Sequence, residues 1–249
     1  MNHPVLALKR DQTFCFTCSP QVSCFNACCR DLHQVLTPYD VLRLKQFLNR
    51  SSTDFLKTYT EENRGPQTGL PVVSLRFSAS ASLACPFVSD AGCRVYPARP
   101  GSCRSYPLAR GVSRNRETGL MRDHWALIHE PHCLGFTDGR PQRVDQWVAD
   151  QQIAAHYHMS DRLLELISLK NRVRPGPLTA SEKNRVYTAL YDLDTFREEL
   201  FAAAGGAPAV VVDARTLERA RSEDLDLLLV AMQWVRQRLM APSSAKDRL

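Results

Sequence analysis

Five of the chain's nine cysteines fall within fifteen residues, Cys15-Phe-Thr-Cys18-Ser-Pro-Gln-Val-Ser-Cys24-Phe-Asn-Ala-Cys28-Cys29. The other four are Cys85, Cys93, Cys103 and Cys133, and none occurs from Asp150 onward. Thiols that only pack a core would be scattered, so this clustering marks a site. A cysteine-free segment separates the two groups, and the fold must therefore bring distant parts of the chain to one place.

A chain of 249 residues can form one large or two small domains and bury a core without disulfide staples. Its first residues, Met-Asn-His-Pro-Val-Leu-Ala-Leu-Lys-Arg-Asp, lack a positive segment before the short apolar run and show no cleavage pattern, and no apolar run reaches membrane-spanning length. The expectation is a soluble cytoplasmic protein. In a reducing compartment thiols persist as thiols or metal ligands, and nine is an odd number, so metal binding ranks above a disulfide framework and above scattered structural thiols.

The spacing narrows the kind of site. Only Cys15 and Cys18 have the C-x-x-C separation, with no second pair opposite them, which excludes the standard zinc fingers and ribbons. Adjacent Cys28 and Cys29 should point apart, so they suit two neighbouring sites or a polynuclear cluster better than one tetrahedral ion. His132 beside Cys133 is a reserve ligand, whereas His156 and His158 read as ordinary surface or core histidines. There is no G-x-S-x-G nucleophile motif, and Gly205-Gly206 precedes Val210–Asp213 in the reverse of the order a dinucleotide loop needs.

The net charge of +6 is modest, but arginine outnumbers lysine 26 to 6. Between Arg94 and Arg122 there are seven arginines against one acid, Glu117. Thiolates around Zn²⁺ or an iron–sulfur cluster leave net negative charge that guanidinium groups can offset, so support of a metal centre ranks first, a solvated basic face second and nucleic-acid binding third.

Residues 1–14 read as an arm leading into the first cysteine loop. Thr37 is placed to cap a helix with Pro38 at its first position, running to about Asn49, and Ser51 or Ser52 caps a second helix that ends before Gly65-Pro66. Both are expected to pack over the cysteine loops. Leu70–Phe77 reads as a strand, with a second short one around Leu83–Val88, and Gly111–Leu120 as a hairpin turn or loop. From Val144 helical patterns take over, at Asp161–Leu169, Ser181–Ala203 and Glu223–Met240. The fold class is α+β, a small irregular cysteine-rich module (residues 12–137) followed by a mainly helical region (residues 141–241).

Phe16-x-Cys18…Cys24…Cys28-Cys29, then Leu36-Thr37-x-x-Asp40-x-x-Arg43-Leu44, then Cys85-Pro-Phe…Cys93-x-x-Tyr96-x-x-Arg99-Pro100-x-x-Cys103-Arg104-x-Tyr106-Pro107 together resemble the YkgJ family of cysteine-cluster proteins. The resemblance covers roughly residues 14 to 135, and the family's domain is regarded as zinc- or iron-chelating. It implies metal ligation by Cys18, Cys24, Cys28, Cys29, Cys85, Cys93 and Cys103, with Cys133 as the eighth ligand and Cys15 left outside. Arg99 and Arg104, inside the motif, are the candidates for contacting the bound centre. The family's first motif is more compact, and is stretched here to C-x₅-C-x₃-C-C. A similar cysteine module occurs in flagellin lysine N-methylases, which keeps S-adenosylmethionine-dependent methyl transfer as an alternative, although no glycine-rich site for that cofactor is recognisable. The leading reading is a metal-binding protein with an iron–sulfur or zinc centre in redox or metal handling; an interaction protein with a purely structural metal is the third.

Overall fold

A computed structural model describes residues 5–64, 69–79, 82–115, 117–137, 139–202 and 209–241. In chain order the elements are β1 (Val5–Leu8), β2 (Thr13–Phe16), β3 (Val35–Leu36), α1 (Pro38–Phe47), α2 (Ser52–Tyr59), β4 (Thr60–Arg64), β5 (Pro71–Leu75), β6 (Val88–Ser89), β7 (Gly92–Cys93), α3 (Gly101–Ser105), β8 (Leu108–Arg114), β9 (Met121–Ile128) and β10 (Arg140–Arg143). Helices α4 (Val144–Asp150), α5 (Ala154–Val173), α6 (Ala180–Leu190), α7 (Leu193–Leu200), α8 (Ala214–Arg219) and α9 (Asp224–Met240) complete it. This is the expected α+β class: small sheets and a helical C-terminal region.

The chain divides into two compact units, each assembled from two stretches. The first comprises Met1–Leu32 and Phe77–Tyr157, the second His33–Arg76 and His158–Leu249. In the first, β1, β9 and β8 form an antiparallel sheet, β2 pairs with β10, and β6 with β7 makes a short hairpin. Its core is Phe14, Phe16, Leu108, Trp125 and Val144, with Tyr106, Cys133, Phe136 and Trp147 packed against it. Phe16 meets Tyr106, Phe136 and Trp147 at ring-centroid distances of 5.7, 5.1 and 5.7 Å, mostly edge-on as ring quadrupoles prefer.

The second unit holds the β3-β5-β4 sheet and the helices that pack with it. Helix α1 starts as the sequence indicates. The Thr37 hydroxyl accepts from the Asp40 N–H at 3.1 Å, and the Asp40 carboxylate accepts from the Thr37 N–H at 2.9 Å, which satisfies two of the N–H groups a helix start leaves open. Inside the second unit α1 packs with α9 and α2 with α7. Their apolar stripes, including Val41, Leu44 and Phe55, are buried. The expected helix over Ser181–Ala203 is two helices, broken at Tyr191-Asp192, where Asp192 takes a non-helical conformation ahead of α7. The arm before Cys15 contains β1 and the start of β2, and β4 follows α2 directly, a strand that its polar sequence Thr-Glu-Glu-Asn-Arg conceals.

A charge network ties these helices together. The Lys45 ammonium lies 2.9 Å from Asp194 and 3.1 Å from Asp224, with its side chain 6% exposed, and Arg197 bridges the same two carboxylates. Burial raises the pKa of both carboxyls, but N–H donation from Ser52 and the Lys45 charge at Asp194, and Arg197 and Lys45 at Asp224, outweigh it and hold both below the ordinary carboxylate value. Depressed folded-state pKa values contribute stability at neutral pH, which is lost as pH falls through and below about 4. Lys45→Met is therefore expected to cost about 2–4 kcal/mol at pH 7, less than a fully buried pair because Asp194 keeps a quarter of its side chain in water, and to flatten the acid limb of the stability curve. Urea unfolding at a series of pH values checks both; an acid limb as steep as the parent's would show that the network does not carry it.

Candidate metal centre

Strand β2 decides the fate of the first two cysteines. Side chains alternate along a strand, and with Phe14 and Phe16 buried in the core, Cys15 between them faces out, opposite Pro141 of β10. Cys18 lies two residues beyond the strand. From there the chain descends through tight turns (Val22 N–H to Ser19 O, Phe25 N–H to Val22 O, Ala27 N–H to Cys24 O) into a 3₁₀ turn over Ala27–Cys29. Asn26 enters that turn at φ 68°, a left-handed conformation asparagine tolerates better than most residues.

Three contacts join this loop to the second cysteine stretch. The Asn26 side-chain amide donates to Ser89 O at 2.9 Å, the Cys85 N–H donates to Cys29 O at 2.9 Å, and Arg30 bridges Ala84. The β6–β7 hairpin carries Cys93 at its end, and Gly92 sits there at φ 112° with the Phe25 ring 3.0 Å from where a Cβ would stand. Both the backbone conformation and the close ring require glycine. Cys103 rides on α3, which follows Arg99-Pro100. Cys133 is delivered by the loop after β9: the Leu134 N–H donates to the Cys24 sulfur at 3.2 Å, and the Thr17 N–H to Gly135 O at 2.8 Å.

The structure thus brings together Cys18, Cys24, Cys28, Cys29, Cys85, Cys93, Cys103 and Cys133. Cys18 is in electrostatic reach of Cys28, Cys24 and Cys133; Cys29 of Cys28, Cys85 and Cys103; Cys93 of Cys28; and Cys85 of Cys93. Two overlapping neighbourhoods result, one of Cys18, Cys24, Cys28 and Cys133 and one of Cys29, Cys85, Cys93 and Cys103. They meet at Cys28 and Cys29, whose thiols hydrogen-bond each other rather than diverge as expected of sequence neighbours, because the 3₁₀ turn packs them more tightly than a strand or α-helix would.

The electrostatics suit a cation. Burial first, then repulsion from Cys28, Cys24 and Cys133, pushes the Cys18 thiol up to about 11, and burial likewise raises Cys85, Cys93 and Cys133. Cys28 moves down, to about 7, because the Cys29 thiol donates to it; the same bond, with burial, raises Cys29. Thiols that resist ionising together are a poor arrangement by themselves and a good one around a soft divalent ion or a cluster, which stabilises every thiolate at once. Among the described residues no group of three or more His, Cys, Asp or Glu side chains is arranged to hold a metal ion as it stands. None of the nine cysteines is buried, and Cys15, Cys18, Cys28 and Cys103 are exposed.

The arginines divide. Arg99 stacks on Tyr96 with 3.8 Å between guanidinium and ring centre, donates to Tyr96 O at 2.9 Å and to the Gln151 side chain, and lowers the pKa of Cys18 and Cys93. Arg94 opposes the rise at Cys85 and Cys93. Arg104 directs its fork to backbone, Gln151 O at 2.8 Å and Pro97 O at 2.6 Å, and holds the α3 turn in place. Arg110 pairs with Asp123 at 2.7 Å. His132 faces Glu130 at 3.4 Å, and His156 is buried against Gly101. Sequence reasoning passed over Tyr106 as a site residue: its buried hydroxyl has no regular hydrogen-bond partner and lies against the Cys133 sulfur, and burial followed by that contact raises its pKa. The Arg-Ser-Tyr-Pro run after Cys103 was the available signal.

Residues 17–133 match the CxxCxxCC family, whose description reads "Putative zinc- or iron-chelating domain". The match covers just under half of the chain. All eight converging cysteines fall within the matched residues and Cys15 lies just outside them. The domain is a metal-chelating type, in agreement with the donor chemistry of its thiols. No curated protein and no solved structure matches the chain. Among the described residues no helix is long and apolar enough to cross a membrane.

Proposed function

We propose that the CxxCxxCC domain holds its metal through Cys18, Cys24, Cys28, Cys29, Cys85, Cys93, Cys103 and Cys133, as two neighbouring four-thiolate sites or one polynuclear cluster joined at Cys28-Cys29, and that the protein works in metal or redox handling. The observation that carries this is the gathering of eight thiols from chain positions more than a hundred residues apart, with the ninth set aside on a strand face. Partly open thiols support exchange of the metal with a partner over a sealed structural role. Iron with sulfide is the favoured centre and zinc the substitute on aerobic expression: the donors are all thiolate without paired knuckles, and Arg94 and Arg99 supply positive charge beside the sulfur atoms. A bound centre would supply Lewis acidity or electron transfer, while the chain orients it through the Asn26–Ser89 and Cys85–Cys29 contacts.

Anaerobic purification followed by metal and acid-labile sulfide analysis tests this. A brown protein with visible charge-transfer absorption is expected. A colourless protein with stoichiometric zinc and no sulfide would replace the iron reading, and one that retains no metal in either atmosphere would overturn the proposal.

A further inference from the structure

We propose that the helical unit carries a second binding site, independent of the thiols, for a small carboxylate on a ring-sized apolar body. A cavity of about 160 Å³ opens between the end of α5, the start of α6 and the C-terminal half of α9. Its floor is apolar: Leu178, Val186, Trp234 and Leu239 are all buried. A cavity of this order accepts a six-membered ring when its walls are aliphatic and aromatic.

The rim is cationic and held open from below. Arg174, Arg185 and Arg238 line the cavity against one acid, Glu182. That acid is already committed, accepting from Arg174 at 2.6 Å and from the Thr179 N–H at 2.9 Å. Arg174 uses its other terminal nitrogen on Ala241 O at 2.7 Å and Arg238 O at 3.3 Å, so it braces the end of α9 against α6. Two guanidinium groups remain for a ligand. Arg238 is exposed and lies over the Trp234 indole at 5.9 Å; Arg185 is exposed and forms no ion pair among the described residues. Two planar donors above an apolar floor recognise an oxyanion whose body fills the floor, and the fork geometry of arginine fits a carboxylate at two points. Net positive charge at the rim disfavours neutral and cationic ligands of the same shape.

Benzoate is the probe, added to the full-length, metal-loaded protein and followed by calorimetry and by the change in tryptophan fluorescence from Trp234. Saturable binding is expected. The neutral isostere benzamide should bind at least about ten-fold more weakly, and the Arg185→Gln/Arg238→Gln double variant should lose about ten-fold or more, with metal content and helical circular dichroism unchanged. Both arginines are exposed, so the variant keeps the core intact; the benzamide comparison on the unaltered protein stands whatever the variant does. Absence of saturation at millimolar benzoate, equal affinity for benzamide, equal affinity in a folded double variant, or inorganic phosphate binding as well as benzoate would each overturn the assignment.

Discussion

Cys28→Ser and Cys29→Ser are each expected to remove metal from the protein and to lower the melting temperature of the cysteine-bearing unit, while Cys15→Ser leaves metal content and melting unchanged. Cys28 and Cys29 stand where the two thiol neighbourhoods meet, so either substitution disrupts both, and a hydroxyl is a poor substitute for thiolate on a soft metal. Metal bound only to the folded state contributes its binding free energy to stability, which for thiolate sites reaches on the order of 10 kcal/mol. Cys15 is exposed, on the strand face opposite the buried Phe14 and Phe16. Plasma emission metal analysis with calorimetric melting reads all three variants. Equal metal loss in Cys15→Ser and Cys28→Ser would reverse the ligand assignment.

Gly139→Ala is expected to be the most damaging substitution outside the cysteines. A methyl at Gly139 would overlap the Phe16 nitrogen and stand 2.5 Å from the Cys15 carbonyl carbon, and one at Gly135 would stand 2.6 Å from Thr17 O. These are backbone atoms inside and beside the β2–β10 pair, which cannot turn aside as a side chain can. Overpacking of this kind costs about 1–3 kcal/mol where a core can adjust, and backbone on the other side of the contact places Gly139→Ala at or above the upper figure. Because the same approach seats Cys133 beside Cys18 and Cys24, Gly135→Ala should also weaken metal retention. Chelator competition against the parent protein measures that loss. Parent-like melting of Gly139→Ala would show that β10 does not approach β2 so closely.

The thiol site was legible because cysteine clustering is a signal in composition, independent of secondary structure, and the starts of α1 and α2 were legible because capping side chains sit next to the backbone groups they satisfy. What escaped has a common cause: it depends on partners remote in the chain. The strand Thr60–Arg64 has neither hydrophobic alternation nor β-branched enrichment, and is strand because β5 pairs with it. The break at Tyr191-Asp192 is set by Asp192 accepting from Ser52 at 2.7 Å and Thr53 at 2.9 Å, contacts no local pattern announces. The hydrogen bond between Cys28 and Cys29 needed the 3₁₀ turn that Asn26 starts. Arg104, a candidate for contacting the centre from its motif position, also reaches the remote Gln151 and Pro97 carbonyls with its fork, which the motif does not announce.

The interleaved chain path has a consequence in time. Cys133 completes the set of eight thiols, whereas α1 and α2, made early, wait for α7 and α9. Synthesis runs at roughly 5–20 residues per second, and roughly a hundred residues separate Cys133 from the end of α9, so about 5 to 20 seconds pass between the two events. During that interval the nascent chain already holds every sulfur of the proposed metal site, while the apolar stripe of α1 has no cover. Metal delivery during translation would order the cysteine unit first and leave the ribosome holding a chain whose aggregation-prone surface lies in the other half.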